Sequence, residues 1–151
     1  KINITRGDRS DIITPLIACS DLIWNIDSLE NLDLPSLYVI SSDDWRSEGL
    51  CVPDFKLLTA VENYSQSIKQ VGKFENIKAK EDIFRTGSDI LDTRLILVSD
   101  SEMGQYTLIE GNKRAIALAA IGRFTGLEVY LGISPAIKNY IWCRHTYEHY
   151  E

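Results

Sequence analysis

Cysteine, histidine and positive charge are all scarce in this chain of 151 residues. The three cysteines, Cys19, Cys51 and Cys143, are odd in number, far apart and free of any Cys-x-x-Cys pair. That argues against a disulfide framework or a thiolate zinc site, and predicts reduced, buried cysteines in a cytoplasmic protein. The two histidines, His145 and His149, both lie near the end, so a Ser-His-Asp hydrolase has little to build on. Four apart on a helix they would share a face and could bind a metal, but no second cluster completes a zinc site. No apolar run is long enough to span a bilayer. The first residues, Lys1 to Arg6, lack the apolar core of an export signal, so neither secretion nor a membrane partner is expected. Sixteen Lys and Arg face twenty-two Asp and Glu, for a net charge of −6. That balance counts against broad binding to nucleic acid or anionic lipid.

Also missing are a Gly-x-Ser-x-Gly elbow, a Walker sequence, a dinucleotide fingerprint, an internal repeat and a low-complexity stretch. What is present is an ordinary globular composition, 44% hydrophobic and 25% charged, which predicts one domain over 1–151 with its own core.

Hydrophobic spacing sets the expected elements. Apolar residues from Ile12 to Ile23 predict a helix starting near Thr14, with Pro15 in its first turn. Residues 28–35 read as a loop. Leu37 to Ile40 reads as a short buried strand, and Ser41 to Gly49 as a polar turn. Asp54 to Lys69 has amphipathic helical spacing, with Gly72 as its stop. Residues 77–92 give no clear pattern. Arg94 to Ser99 and Gln105 to Ile109 read as a hairpin closed by residues 100–104. Ala115 to Ile121 is a strong helix former ended by Gly122. Leu127 to Leu131 reads as another strand. Ser134-Pro135 then opens a last helix, with Ser134 as N-cap.

The chemistry is expected at Glu110-Gly111-Asn112-Lys113-Arg114. A strand delivers the chain to Gly111 and a helix begins at once. The first helical amides lack internal partners, and the helix dipole places partial positive charge there, so an anion would be stabilised. Lys113 and Arg114 are the wrong sign for a helix N-terminus. A bound phosphate or carboxylate would reverse that local cost, and such local conflicts concentrate at functional sites. A plain turn, with both cations solvated or paired with Glu110 and Asp100, is the competing account.

The string Thr107-Leu108-Ile109-Glu110-Gly111-Asn112-Lys113-Arg114-Ala115-Ile116-Ala117 resembles the signature of the ParB/sulfiredoxin-like superfamily. There a strand ends in an acidic-Gly-x-x-Arg turn that opens an Ala-rich helix. The resemblance extends over Arg94 to Trp142, about a third of the chain. It implies an α/β (α+β) fold, a small mixed β-sheet packed with helices. Members include nucleotide-binding partition proteins, sulfiredoxins, free-serine kinases and proteins described as nucleases, and they share phosphate handling at this turn. By the resemblance Arg114 would hold phosphate oxygens, and Gly111 and Asn112 would offer backbone amides. Lys113 would add charge, and Glu110 would be a catalytic base or metal ligand. The departures matter. Asn112 stands where sulfiredoxins have a reactive Cys, and Asn112-Lys113-Arg114 stands where partition proteins have Glu-Arg-Arg. Lys113 replaces the His of many stand-alone members.

Two further groups are candidates. Ser134 marks a second strand-to-helix junction that could join the first on one sheet edge. Asp43 and Asp44 follow a strand and could present carboxylates to a metal. The expectation is therefore a phosphate- or nucleotide-binding domain with Mg²⁺ as a possible companion of the nucleotide. If it is an enzyme, the reaction class is metal-dependent phosphoryl transfer or phosphate-ester hydrolysis, with Glu110 and one or both of Asp43 and Asp44 as metal ligands. An enzyme should gather Glu110, Arg114 and at least one of Asp43, Asp44 or Ser134 around one cleft. The first alternative is a non-catalytic module acting through a protein partner, with an exposed apolar patch near Tyr140 and Trp142. A nuclease or DNA-binding protein is the weaker alternative, opposed by the net charge.

Overall fold

The unbroken β-formers after Arg94 specify a strand buried on both faces. The computed structural model, which describes residues 10–67, 72–86 and 94–147, places that strand at the centre of a five-stranded mixed sheet. The strands are β1 (Ile23–Ser28), β2 (Leu37–Val39), β3 (Leu95–Ser99), β4 (Tyr106–Glu110) and β5 (Glu128–Ile133), in spatial order β1-β5-β3-β4-β2. Every residue of β3 is buried, so packing covers both sides of the sheet there. The helices are α1 (Ser10–Ala18), α2 (Asp43–Ser47), α3 (Leu57–Ser67), α4 (Glu75–Arg85), α5 (Asn112–Ala120) and α6 (Arg144–Tyr147). This is the expected α+β architecture of a small mixed sheet with helices. Among the described residues no helix is long and apolar enough to cross a membrane.

Strand direction decides what can meet what. β2 pairs parallel with β4, while β3 is antiparallel to β4 and parallel to β5. The C-terminal ends of β2 and β4 therefore open on one edge of the sheet. Those of β3 and β5 open on the opposite edge.

The helical core follows from the sequence. The Ala-rich α5 buries Ala115, Ile116, Ala117 and Leu118. Small side chains there allow close approach, and α5 packs against both α3 and α4. α3 and α4 are joined by a polar contact. Glu81 is buried, accepts from the Tyr64 hydroxyl, and accepts from Arg85 Nε and Nη2 at 3.0 and 2.8 Å. A buried carboxylate is tolerated only when bonded in this way. Burial by itself would raise the Glu81 carboxyl, but the hydrogen bonds from Tyr64 and Arg85 outweigh it and hold it below its ordinary value.

Several elements differ from expectation. α1 begins at Ser10 and not near Thr14, so Pro15 lies inside it, where the amide that would reach the Asp11 carbonyl is missing. The apolar run then leaves the helix, and Ile23 starts β1, an edge strand with no counterpart in the sequence reading. Residues 31–36 form a 3-10 turn with Leu34 half-buried. The polar stretch after β2 contains the short α2. The unassigned stretch after Phe74 contains α4. The expected last helix is broken into 3-10 turns over Pro135–Asn139 and Ile141–Cys143 before α6, because Tyr140 is extended (φ −77°, ψ 123°). The end of the helix expected up to Lys69, together with Lys1 to Arg6, residues 87–93 and His149, lies outside the described residues.

Candidate functional site

β4 ends at Glu110, and Gly111 turns the chain into α5 with φ 91° and ψ 22°. Only glycine fits this point. A Cβ would stand 2.3 Å from Leu95 Cδ2, in a left-handed conformation that L side chains avoid. α5 starts with no side-chain cap. A glycine N-cap has no side chain to accept from the first helical amides.

The cations behave differently from one another. Arg114 is largely buried, and its Nη2 lies 3.9 Å from Glu110 Oε1, a long ion pair across one helical turn. Lys113 is exposed and makes no ion pair or hydrogen bond to any described residue. Asn112 turns inward instead. The residue is 7% exposed, its Oδ1 accepts the Ile40 amide at 3.1 Å, and its Nδ2 donates to the Leu108 carbonyl at 3.1 Å. Asn112 can thus offer a ligand its backbone but not its side chain.

The opposing wall comes from the end of β2, which shares the sheet edge with Glu110. Ser41 is fully buried; its amide donates to the Trp142 carbonyl at 2.9 Å and its hydroxyl accepts the His145 amide at 3.0 Å. Arg144 Nη2 meets Asp43 Oδ1 at 3.0 Å. These bonds clamp residues 141–145 onto residues 41–43.

Between the walls lies a cleft of about 490 Å³. Its acidic lining is Asp44, Glu48 and Glu110, and its basic lining is Lys80, Lys113 and Arg114. Trp45 and Trp142 form its aromatic surface, with Ile12, Ile40 and Ser42 beside them. Glu110, Gly111, Asn112, Lys113, Arg114 and Asp44 are thus brought together, as an enzyme at this turn requires.

Asp43 and Ser134 are not part of that group. Asp43 does not line the cleft and is engaged by Arg144. Ser134 follows β5, whose C-terminal end lies on the opposite edge of the sheet from Glu110. Its hydroxyl accepts the Ala136 amide at 3.1 Å, so it is a helix cap. Asp100 sits on that same far edge and faces Lys138 at 3.4 Å, so it cannot serve Arg114.

Among the described residues no group of three or more His, Cys, Asp or Glu could hold a metal ion. Asp44, Glu48 and Glu110 all line the cleft without forming such a group. His145 is buried and stacked on Phe55 with ring centroids 4.1 Å apart. Cys51 and Cys143 are buried as expected, whereas Cys19 is half-buried. Burial pushes the Cys143 thiol up to about 12, so it is no nucleophile at neutral pH. Tyr140 and Trp142, proposed from sequence for an exposed apolar patch, are both half-buried, and Trp142 belongs to the cleft.

Lys80, Glu48, Trp45 and Trp142 reach the cleft without having been singled out for it from sequence. Lys80 lies on a helix the sequence did not announce, and no local pattern marks it. The only available signal was the aromatic pair, two of three tryptophans in the chain.

No family model, no curated protein and no solved structure matches this chain in the comparisons made with each.

Proposed function

We propose that the cleft binds a phosphate-bearing small molecule, a nucleotide being the leading class, and that the chain is a single domain of the ParB/sulfiredoxin-like superfamily acting in the cytoplasm. One observation carries the reading. The N-terminus of α5, which has no side-chain cap, and Lys113, which has no partner among the described residues, line a cleft together with Arg114 and two tryptophans. An anion there gains from the helix dipole, by about 0.3–1 kcal/mol at an exposed site. Each charge-assisted hydrogen bond adds about 1.5–3 kcal/mol. Trp45 and Trp142 in the lining give the cleft an aromatic component that suits a flat base.

The proposed roles follow from position. Lys113 and Arg114 hold phosphate oxygens, and the amides of Gly111 and Asn112 face the same group. Glu110 is the candidate base. The side chains present do not form a metal site by themselves. Mg²⁺ suits this cleft only as a companion of nucleotide phosphates, held by one or two carboxylates, here Glu110 and Asp44. If the protein is an enzyme, phosphoryl transfer or phosphate-ester hydrolysis is the class that such positioning serves. The second reading, a non-catalytic module working through a protein partner, is favoured by the inward side chain of Asn112, which leaves no nucleophile at that position. A nuclease role stays the weakest proposal, since the cleft carries as many carboxylates as cations.

The test is a thermal-shift series with pyrophosphate and nucleoside di- and triphosphates, with and without magnesium, on the wild type, Lys113→Ala and Arg114→Ala. At a ligand concentration 100 times Kd the wild type should gain about 2.7 kcal/mol, and both variants should lose most of that gain. Equal shifts in all three proteins, or no shift in the wild type, would remove the proposal.

A further inference from the structure

The two main walls of the cleft part company at a single side chain. The parallel pairing of β2 with β4 ends with Val39 opposite Leu108. The next residue, Ile40, is buried, and its amide has run past the ladder. Asn112 meets that amide with Oδ1 at 3.1 Å and bonds the Leu108 carbonyl with Nδ2 at 3.1 Å. Its carboxamide is one more rung between β2 and β4, supplied by the first residue of α5. Beyond this rung one chain runs to Asp44 and Trp45, and the other to Lys113 and Arg114. The Trp142 wall is tied to the first of these, because Ser41 bonds both Trp142 and His145.

We infer that Asn112 is a positioning residue whose carboxamide fixes the spacing of the cleft walls and thereby sets the affinity for the anion. The effect on affinity rests on the ligand reading given above; the fixing of the walls does not. The chemistry is specific to an amide. The site needs one acceptor and one donor at fixed separation. Asp would still accept from Ile40 but would set a second oxygen against the Leu108 carbonyl and bury a charge. Ala would leave both backbone groups without their partner.

The test uses the full chain and two variants, Asn112→Ala and Asn112→Asp. Backbone amide exchange is read at Ile40 and at residues 42–45, relative to the β3 amides as a measure of global stability. Asn112→Ala, which removes the acceptor of the Ile40 amide, should speed exchange at Ile40 by about ten-fold against β3, the factor that loss of one hydrogen bond supports. Asn112→Asp, which keeps that acceptor but loses the bond to Leu108, should speed exchange at residues 42–45 against β3. In Asn112→Asp, acidification should restore the protection once intrinsic rates are corrected, because the protonated carboxyl regains a donor for Leu108. Unchanged relative exchange in both variants, or no recovery of the Asp variant in acid, overturns the inference. A pyrophosphate titration is the second arm. If the wild type binds, Asn112→Ala should bind about ten-fold more weakly, and equal binding overturns the link to affinity. If the wild type binds no phosphate compound, the ligand reading fails, while the exchange arm still decides whether Asn112 fixes the walls.

Discussion

At Ser134 the chain leaves β5, its hydroxyl accepts the Ala136 amide at 3.1 Å, and Pro135 removes a further donor from the first turn. At Gly111 the chain leaves β4, no side chain caps the helix, and two cations follow in the first turn. Both junctions link a strand to a helical turn in one sheet. The first satisfies itself and adds nothing to a cleft. The second has no side-chain cap and adds charge of the sign that the helix end opposes. The difference shows how to read such a turn. A helix N-terminus is ordinary when a Ser caps it, and it becomes a binding candidate when the cap is missing and the local charge conflicts.

The largest expected effect comes from forcing a side chain onto the open junction. Gly111→Ala places a Cβ 2.3 Å from Leu95 Cδ2 at positive φ. It should cost about 3 kcal/mol in urea unfolding, combining left-handed strain with overpacking. A cost below about 1 kcal/mol would show that the turn relaxes freely.

Next comes the scaffold behind the open junction. Glu81 joins α3 to α4, the helix that carries Lys80 to the cleft. Glu81→Ala should cost about 3 kcal/mol, as removal of one member of a buried charged network does. The same residue gives a pH signature. Its folded carboxyl lies below the ordinary value of 4.5, so the folded state binds fewer protons than the unfolded state in that range. Its contribution is full above pH 4.5 and drains as the pH falls further through the folded value. Glu81→Gln should remove that part of the acid slope, measured by urea midpoints across the acid range. An unchanged slope would assign the acid sensitivity to other carboxylates.

The capped junction should respond more mildly. Ser134→Ala should cost about 1 kcal/mol, as loss of an N-cap does. It should leave anion binding at Gly111 untouched, because the two sites lie on opposite sheet edges. The smallest effect has the opposite sign. Lys113→Glu should stabilise the free protein by about 0.5 kcal/mol, since it puts the favoured charge at the helix start, while abolishing anion binding. Stability and binding moving together in this variant would contradict the charge conflict.

The parts legible in the sequence were those specified locally. β3, β4 and α5 follow from an apolar run, a hairpin loop and an alanine-rich stretch. The Glu110–Arg114 turn was visible for the same reason, as residues adjacent in sequence. β1 was hidden because an edge strand need not alternate: Asn25, Asp27 and Ser28 are polar, while Ile23 and Ile26 lie exposed. α4 was hidden because charged side chains dominate it and one of its three buried residues is the Glu81 carboxylate, bonded to a helix distant in sequence. Within the site, Asp44 was legible from its place after a strand. Ser134 was legible as an N-cap, but its place on the far edge was not, because the direction of β5 relative to β4 is a property of topology that no motif records. Lys80, Trp45 and Trp142 meet only through the fold. The inward turn of Asn112 was equally out of reach, since it depends on where Ile40 ends its ladder.

The central claim is that the Gly111 junction, and not the Ser134 junction, receives an anion. Its most direct test is a titration of the isotopically labelled wild-type chain with pyrophosphate, following the backbone amide resonances at both places. The account predicts saturable shifts at Asn112, Lys113 and Arg114, with Ala136 unmoved. Equal shifts at Ala136, or no shifts at the α5 amides, would contradict it.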